Sequence, residues 1–181
     1  KGFDPNTYIR TKYRLEDKLL NSLFFINLDE PHYSDLQKNY YRCHKDAAAV
    51  KFLIGKSARA VAVPLAEKTV RQALKFEFTD IILQLGRILK THYRIYAPHK
   101  EKANRYIELV NYYKKVLEYE IKAEDYREDI DSIYSPTRAT QSSLVSKVVE
   151  YELTLKKILN KYSSYKLKLS YYLIAITRYR A

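Results

Sequence analysis

The sequence predicts an all-α fold: about seven antiparallel helices wound as a right-handed solenoid. Three observations carry that expectation. Pro31, Pro64, Pro98 and Pro136 recur at gaps of 33, 34 and 38 residues. A period of about 34 is that of helix-turn-helix units that stack on one another. Only three Gly and five Pro occur in 181 residues, too few for the many turns of an all-β chain. Apolar residues step by three and four along most of the chain, and no stretch shows strand-like alternation.

Each element follows from that stepping. A first helix over about 7–28 places Leu15, Leu19, Leu23 and Ile26 on one face, and the turn Asp29-Glu30-Pro31 ends it. A second, over about 33–53, uses Leu36, Tyr40, Cys43, Ala47, Val50 and Ile54, with Gly55 where a C-cap glycine belongs. A third covers about 57–76. After the turn at Phe76-Glu77-Phe78, a fourth starts near Thr79 and carries Ile82, Leu85, Ile88, Leu89 and Tyr93. The fifth, about 99–133, has a continuous stripe from Tyr106 through Val116 and Ala123 to Ile133. At about 1.5 Å per residue it is roughly 50 Å long. A sixth runs from Pro136 to about Lys161 with Leu144, Val148, Tyr151, Leu155 and Ile158, and Ser163-Ser164 breaks it from the seventh. Each proline is read as opening a helix, where its missing N–H costs nothing.

Composition bounds the function. The chain is 46% apolar and 30% charged, a globular balance with enough length for a core. We expect one helical-repeat domain over residues 1–181. The absence of Met makes a segment of a longer or processed protein the expectation. Cys43 is the single cysteine, which excludes a disulfide framework and fits a reducing, cytoplasmic setting. No apolar run approaches the roughly 20 residues of a membrane span. The net charge is +12 with 19 Tyr, the combination single-stranded nucleic acid binding draws on. Tyrosine at helical spacing, however, mostly packs cores with a wet hydroxyl.

Residues Ala47 to Ile130 resemble tetratricopeptide repeats. Ala66, Val70 and Ala73 give the small-large-small pattern at spacing four then three, and Leu85-Gly86 matches the pair that opens the next unit. Ile82 stands where that family usually has Trp, and Leu89 where it has Tyr. The fifth helix exceeds a 34-residue unit. The resemblance implies a concave groove that binds a peptide or protein segment.

Catalysis finds little footing. His32, His44, His92 and His99 are scattered, and Cys43 and His44, adjacent on a helix, point about 100° apart. There is no His-Glu-x-x-His metal motif and no Gly-rich phosphate loop. Glu120, Glu124, Glu128 and Asp131 share one face of the fifth helix. With Arg127 among them and no matching His cluster, they read as a solvated acidic face. No cofactor and no metal are expected. After Glu152 no acidic residue occurs, and Lys156, Lys157, Lys161, Lys166, Lys168, Arg178 and Arg180 make the end strongly basic.

The expected function is therefore a non-catalytic scaffold for a protein or peptide partner. A nucleic-acid-binding domain using the basic, Tyr-rich end is the alternative. Ala66, Ala73, Leu85 and Gly86 are the expected close-packing positions between helices. The seventh helix has two apolar stripes. Tyr162, Tyr165, Leu169, Tyr172, Leu173 and Ile176 are expected to face the core. Leu167, Tyr171 and Ile174, with Arg178 beside them, are expected to form an interface for a partner or a second copy of the chain.

Overall fold

The computed structural model describes residues 5–23, 25, 32–133 and 141–180, and among them seven α-helices and no strand. They are α1 (Pro5–Leu23), α2 (Asp35–Gly55), α3 (Arg59–Lys75), α4 (Thr79–Thr91), α5 (Lys100–Ile133), α6 (Gln141–Leu159) and α7 (Tyr165–Arg180). A π-helical turn, His92–Tyr96, prolongs α4. The turn Asp29 to Pro31, Ile26 and Pro136 lie outside the described residues.

Local chemistry fixes several helix ends. Ser34 and Gln37 form a reciprocal capping box at α2: Gln37 N donates to Ser34 Oγ at 3.3 Å, and Ser34 N to Gln37 Oε1 at 2.9 Å. Gly55 does not take the left-handed conformation expected of it. Ser57 does, at φ 60°, while Ala58 N closes back on Leu53 O at 2.8 Å. Glu77 repeats the device between α3 and α4 at φ 56°, with Phe78 N on Ala73 O at 3.0 Å. Both are tight helix-ending turns built without glycine.

Pro64 departs from the expected role. It lies inside α3, five residues past the start, and opens no helix. Pro98 precedes α5 by two residues. The even proline spacing thus does not mark equivalent helix starts.

The buried side chains form two clusters joined by α5. The first unites Cys43, Ala47 and Val50 of α2, Ala62, Ala66, Val70 and Ala73 of α3, Ile82, Leu85 and Leu89 of α4, and Tyr106 of α5. The second unites Val116, Ala123 and Ile130 of α5, Val148 and Leu155 of α6, and Leu167 and Ile174 of α7. Tyr113 packs against both. Helix α5 packs on α4 at one end and on α6 and α7 along the rest. Polar ties reinforce the second cluster. Tyr126 and Tyr151 stack at 3.9 Å, and the Tyr151 hydroxyl donates to Asp129 Oδ2 at 2.5 Å. Lys147 Nζ reaches the same oxygen at 3.0 Å.

Two apolar faces are not where periodicity puts them. Leu15 and Leu19 of α1 are exposed, as is every described side chain of that helix. The two stripes of α7 are exchanged. Leu167 and Ile174, expected at an interface, are 0% and 1% exposed inside the second cluster. Tyr171 is half-buried against it. Tyr165, Leu169 and Tyr172, expected in the core, are 62%, 40% and 61% exposed. The start of α7 explains the exchange. Ser164, 1% exposed, accepts from Leu167 N at 3.2 Å, and Glu77 Oε2 accepts from Tyr165 N at 2.5 Å. The bond to Glu77 fixes the first turn so that Leu167 enters the core, and Ile174 follows two turns later on the same side. Arg178 remains exposed and pairs with Glu152 of α6 at 3.0 Å. The interface expected at these four residues is therefore withdrawn.

Candidate functional site

An open groove of about 820 Å³ is formed by α2, α4 and α5. Asp80, Gln84, Arg87 and Thr91 of α4 enter it at steps of four, three and four, the face opposite the buried Ile82, Leu85 and Leu89. Lys51 and Ile54 come from α2, Lys114 and Leu117 from α5. Leu83, Ile54, Ile88 and Leu117 give it an apolar floor. A second lobe of about 640 Å³ shares Lys51 and Gln84 and continues along α2 past His44, Phe52 and Lys56.

Its electrostatics are one-sided. Lys51, Arg59, Arg87 and Lys114 line the main lobe against a single carboxylate, Asp80. Asp80 Oδ2 lies 3.6 Å from His44 Nε2, an ion pair only when the imidazole is protonated. Lys51, Arg87 and Lys114 have no ion-pair partner among the described residues. Arg59 lies 3.5 Å above the Tyr96 ring and closes one end of the groove. The π-turn brings Tyr96 there. An extra residue in a helical turn rotates everything after it, so Tyr96 leaves the register of α4 and meets α3.

Behind that end lies a polar network of α3, the π-turn and α5. Tyr93 Oη donates to Glu67 Oε1 at 2.8 Å, and Lys102 Nζ donates to Tyr93 Oη at 3.1 Å and to Glu67 Oε1 at 3.3 Å. Burial opposes ionisation of Glu67. The hydrogen bonds from Tyr93 and Lys102 outweigh it and hold the carboxyl below the usual carboxylate range. Burial, aided by the Arg59 charge, keeps His92 below the ordinary histidine range. With Tyr93 stacked parallel on Tyr106 at 6.0 Å, this network fixes the π-turn and hence Tyr96.

The sequence-derived residues fall out as follows. Ala66, Ala73 and Leu85 are fully buried in the first cluster. Gly86 is buried with Val110 so close that a Cβ on it would stand 3.1 Å from Val110 Cγ2. The acidic face on α5 is not uniformly solvated. Glu124, Glu128 and Asp131 are exposed, but Glu120 is 2% exposed and accepts from Thr79 Oγ1 at 2.9 Å. The start of α4 covers α5 there. Among the described residues no three His, Cys, Asp or Glu side chains are grouped to hold a metal ion, and no helix is long and apolar enough to cross a membrane. Cys43 is buried, and burial with the nearby Asp46 pushes its thiol up to about 11. The groove cations are not evident as a group in the sequence because they are spread across 64 positions, from Lys51 to Lys114. The available signal was the polar face of α4, where Arg87 stands beside Gly86.

No protein-family model matches the chain, and no curated protein or solved structure is significantly similar to it.

Proposed function

We propose that the chain is a non-catalytic scaffold that holds a segment of a partner protein in the groove of α2, α4 and α5. In this reading the helices are antiparallel and wind as a right-handed, tetratricopeptide-like solenoid whose concave side is the groove. The supporting observation is the open groove with an apolar floor and unpaired cations along its walls. Such a surface offers area for side-chain burial together with a few polar groups that fix orientation. Selection of a random 12-residue peptide library on the protein tests this. Gln84 lies in both lobes, so Gln84→Trp fills the groove without changing its charge. Selected peptides should lose binding to that variant. Peptides that bind it equally well refute the groove as the site.

Exposed Tyr165 and Tyr172 beside exposed Lys166 and Lys168 favour nucleic acid as a second reading. It requires binding of a labelled single strand that weakens as salt rises and is lost on Tyr172→Ala.

A further inference from the structure

We propose that the segment taken by the groove is acidic: carboxylate side chains that meet Lys51, Arg87 and Lys114, alternating with apolar side chains that rest on Ile54, Leu83 and Leu117. This rests on the groove reading above and adds the chemistry of the occupant.

Desolvation selects that chemistry. A segment that fills the groove removes water from its walls. Lys51, Arg87 and Lys114 form no ion pair among the described residues, and Asp80 is one carboxylate in a lining with four cations. A neutral segment would leave these cations dry and unpaired, which is unfavourable for a charge taken out of water. A basic segment would add repulsion. Carboxylates convert the same burial into charge-assisted hydrogen bonds. The excess of cations over carboxylates also draws acidic partners in from a distance, an effect that salt screens.

The floor decides between an acidic peptide and a nucleic acid. A phosphodiester backbone would satisfy the cations but leave Ile54, Leu83 and Leu117 uncovered. Single strands further require open ring faces for base stacking. The ring in the main lobe, Tyr96, has the Arg59 guanidinium 3.5 Å from its centroid, and the second lobe adds a single exposed ring, Phe52, too few for a stacking platform. Peptide side chains alternate in direction along an extended segment and meet cationic walls and apolar floor in turn.

The peptide selection, run on the full chain, tests the occupant through its composition. Enriched peptides should be rich in Asp and Glu alternating with apolar residues. Their affinity should fall at least tenfold from 50 to 500 mM salt and at least tenfold on Arg87→Glu. Arg87 is exposed, so circular dichroism should show that variant folded. Replacing the peptide's critical Glu with Lys should restore binding to Arg87→Glu, which a general loss of structure could not produce. Neutral or basic enriched peptides that are still blocked by Gln84→Trp overturn the acidic occupant and leave the groove reading standing. No enrichment, or enrichment indifferent to Gln84→Trp, overturns both. A fluorescein-labelled dT12 strand that displaces the selected peptides and binds more tightly than they do overturns the proposal in favour of nucleic acid.

Discussion

Gly86→Leu tests whether α4 and α5 meet as closely as the structure has them. The glycine lies in α4 with no side chain between its backbone and Val110. A Cβ alone would sit 3.1 Å from Val110 Cγ2 and 3.8 Å from Leu109 Cδ2, the first tighter than ordinary carbon contact. Two effects oppose each other. Replacing a helical glycine with leucine gains about 0.8 kcal/mol in helix propensity. Forcing methylenes into a filled interface costs about 1–3 kcal/mol. Leucine carries three carbons beyond Cβ, all directed at a helix already in contact, so the upper half of that range applies. A net loss of about 1–2 kcal/mol lowers the Tm by roughly 3–6 °C in a chain of this size. Gly86→Ala, for which crowding and propensity are about equal, should move it much less. The assay is thermal unfolding followed by circular dichroism at 222 nm. Val110→Ala should be less costly in the Gly86→Leu background than in the native one, since it removes the obstructing methyl groups. A coupling of about 1 kcal/mol or more is expected for such touching residues. An unchanged or raised Tm for Gly86→Leu refutes the close approach and removes the main support for the repeat resemblance.

Leu167→Ala should cost about 2–5 kcal/mol by opening a cavity in the second cluster, whereas Tyr165→Ser and Tyr172→Ser should each change stability by about 0.5 kcal/mol or less; chemical denaturation distinguishes these, and the reverse order would restore the face assignment expected from periodicity. The hydrogen bonds from Tyr151 and Lys147 hold the Asp129 carboxyl below the usual carboxylate range. Its contribution is thus present above the unfolded value of about 4 and is lost as pH falls through the lowered folded one, so Asp129→Asn should flatten the acid side of the Tm-against-pH curve, and an unaltered slope would count against the pairing. Cys43, with its thiol at about 11, should react with a disulfide reagent at pH 8 only as fast as the protein opens, and at ordinary thiol rates in urea; fast labelling of the folded protein would contradict its burial.

Periodicity made the helices legible because each buries a stripe at steps of three and four, a pattern written entirely within its own segment. The stripe of α5 was readable from Tyr106 to Ile130 for that reason: Tyr106, Val116, Ala123 and Ile130 are all buried. What periodicity does not contain is the partner of each stripe. On α1 the stripe exists, but Leu15 and Leu19 are exposed. The groove was illegible for a related reason. Its cations come one or two at a time from α2, α3, α4 and α5, and each taken singly looks like a solvated surface residue. Only the packing of α2, α4 and α5 makes them neighbours. The π-turn was also hidden, since Tyr93 continues the apolar rhythm of α4, and its polar ties come from Glu67 and Lys102 on other helices.

The reversal of α7 shows how little energy decides such a choice. Both of its stripes are apolar enough to be buried, so transfer of side chains from water discriminates weakly between them; the longer stripe, with Tyr165, Leu169, Tyr172, Leu173 and Ile176, even offers more area. The decision is made at the first turn by polar groups. Ser164 and Glu77 each satisfy one of the unpaired N–H groups that every helix start presents. Glu77 does so from 88 positions away, placed by a left-handed backbone between α3 and α4. Rolling the helix to bury the longer stripe would break the bond from Tyr165 N to Glu77, which comes from outside the helix. Such a bond to a helix start is worth about 1 kcal/mol. The larger apolar stripe therefore stays outside, because turning it inward would cost the helix start its bond to Glu77.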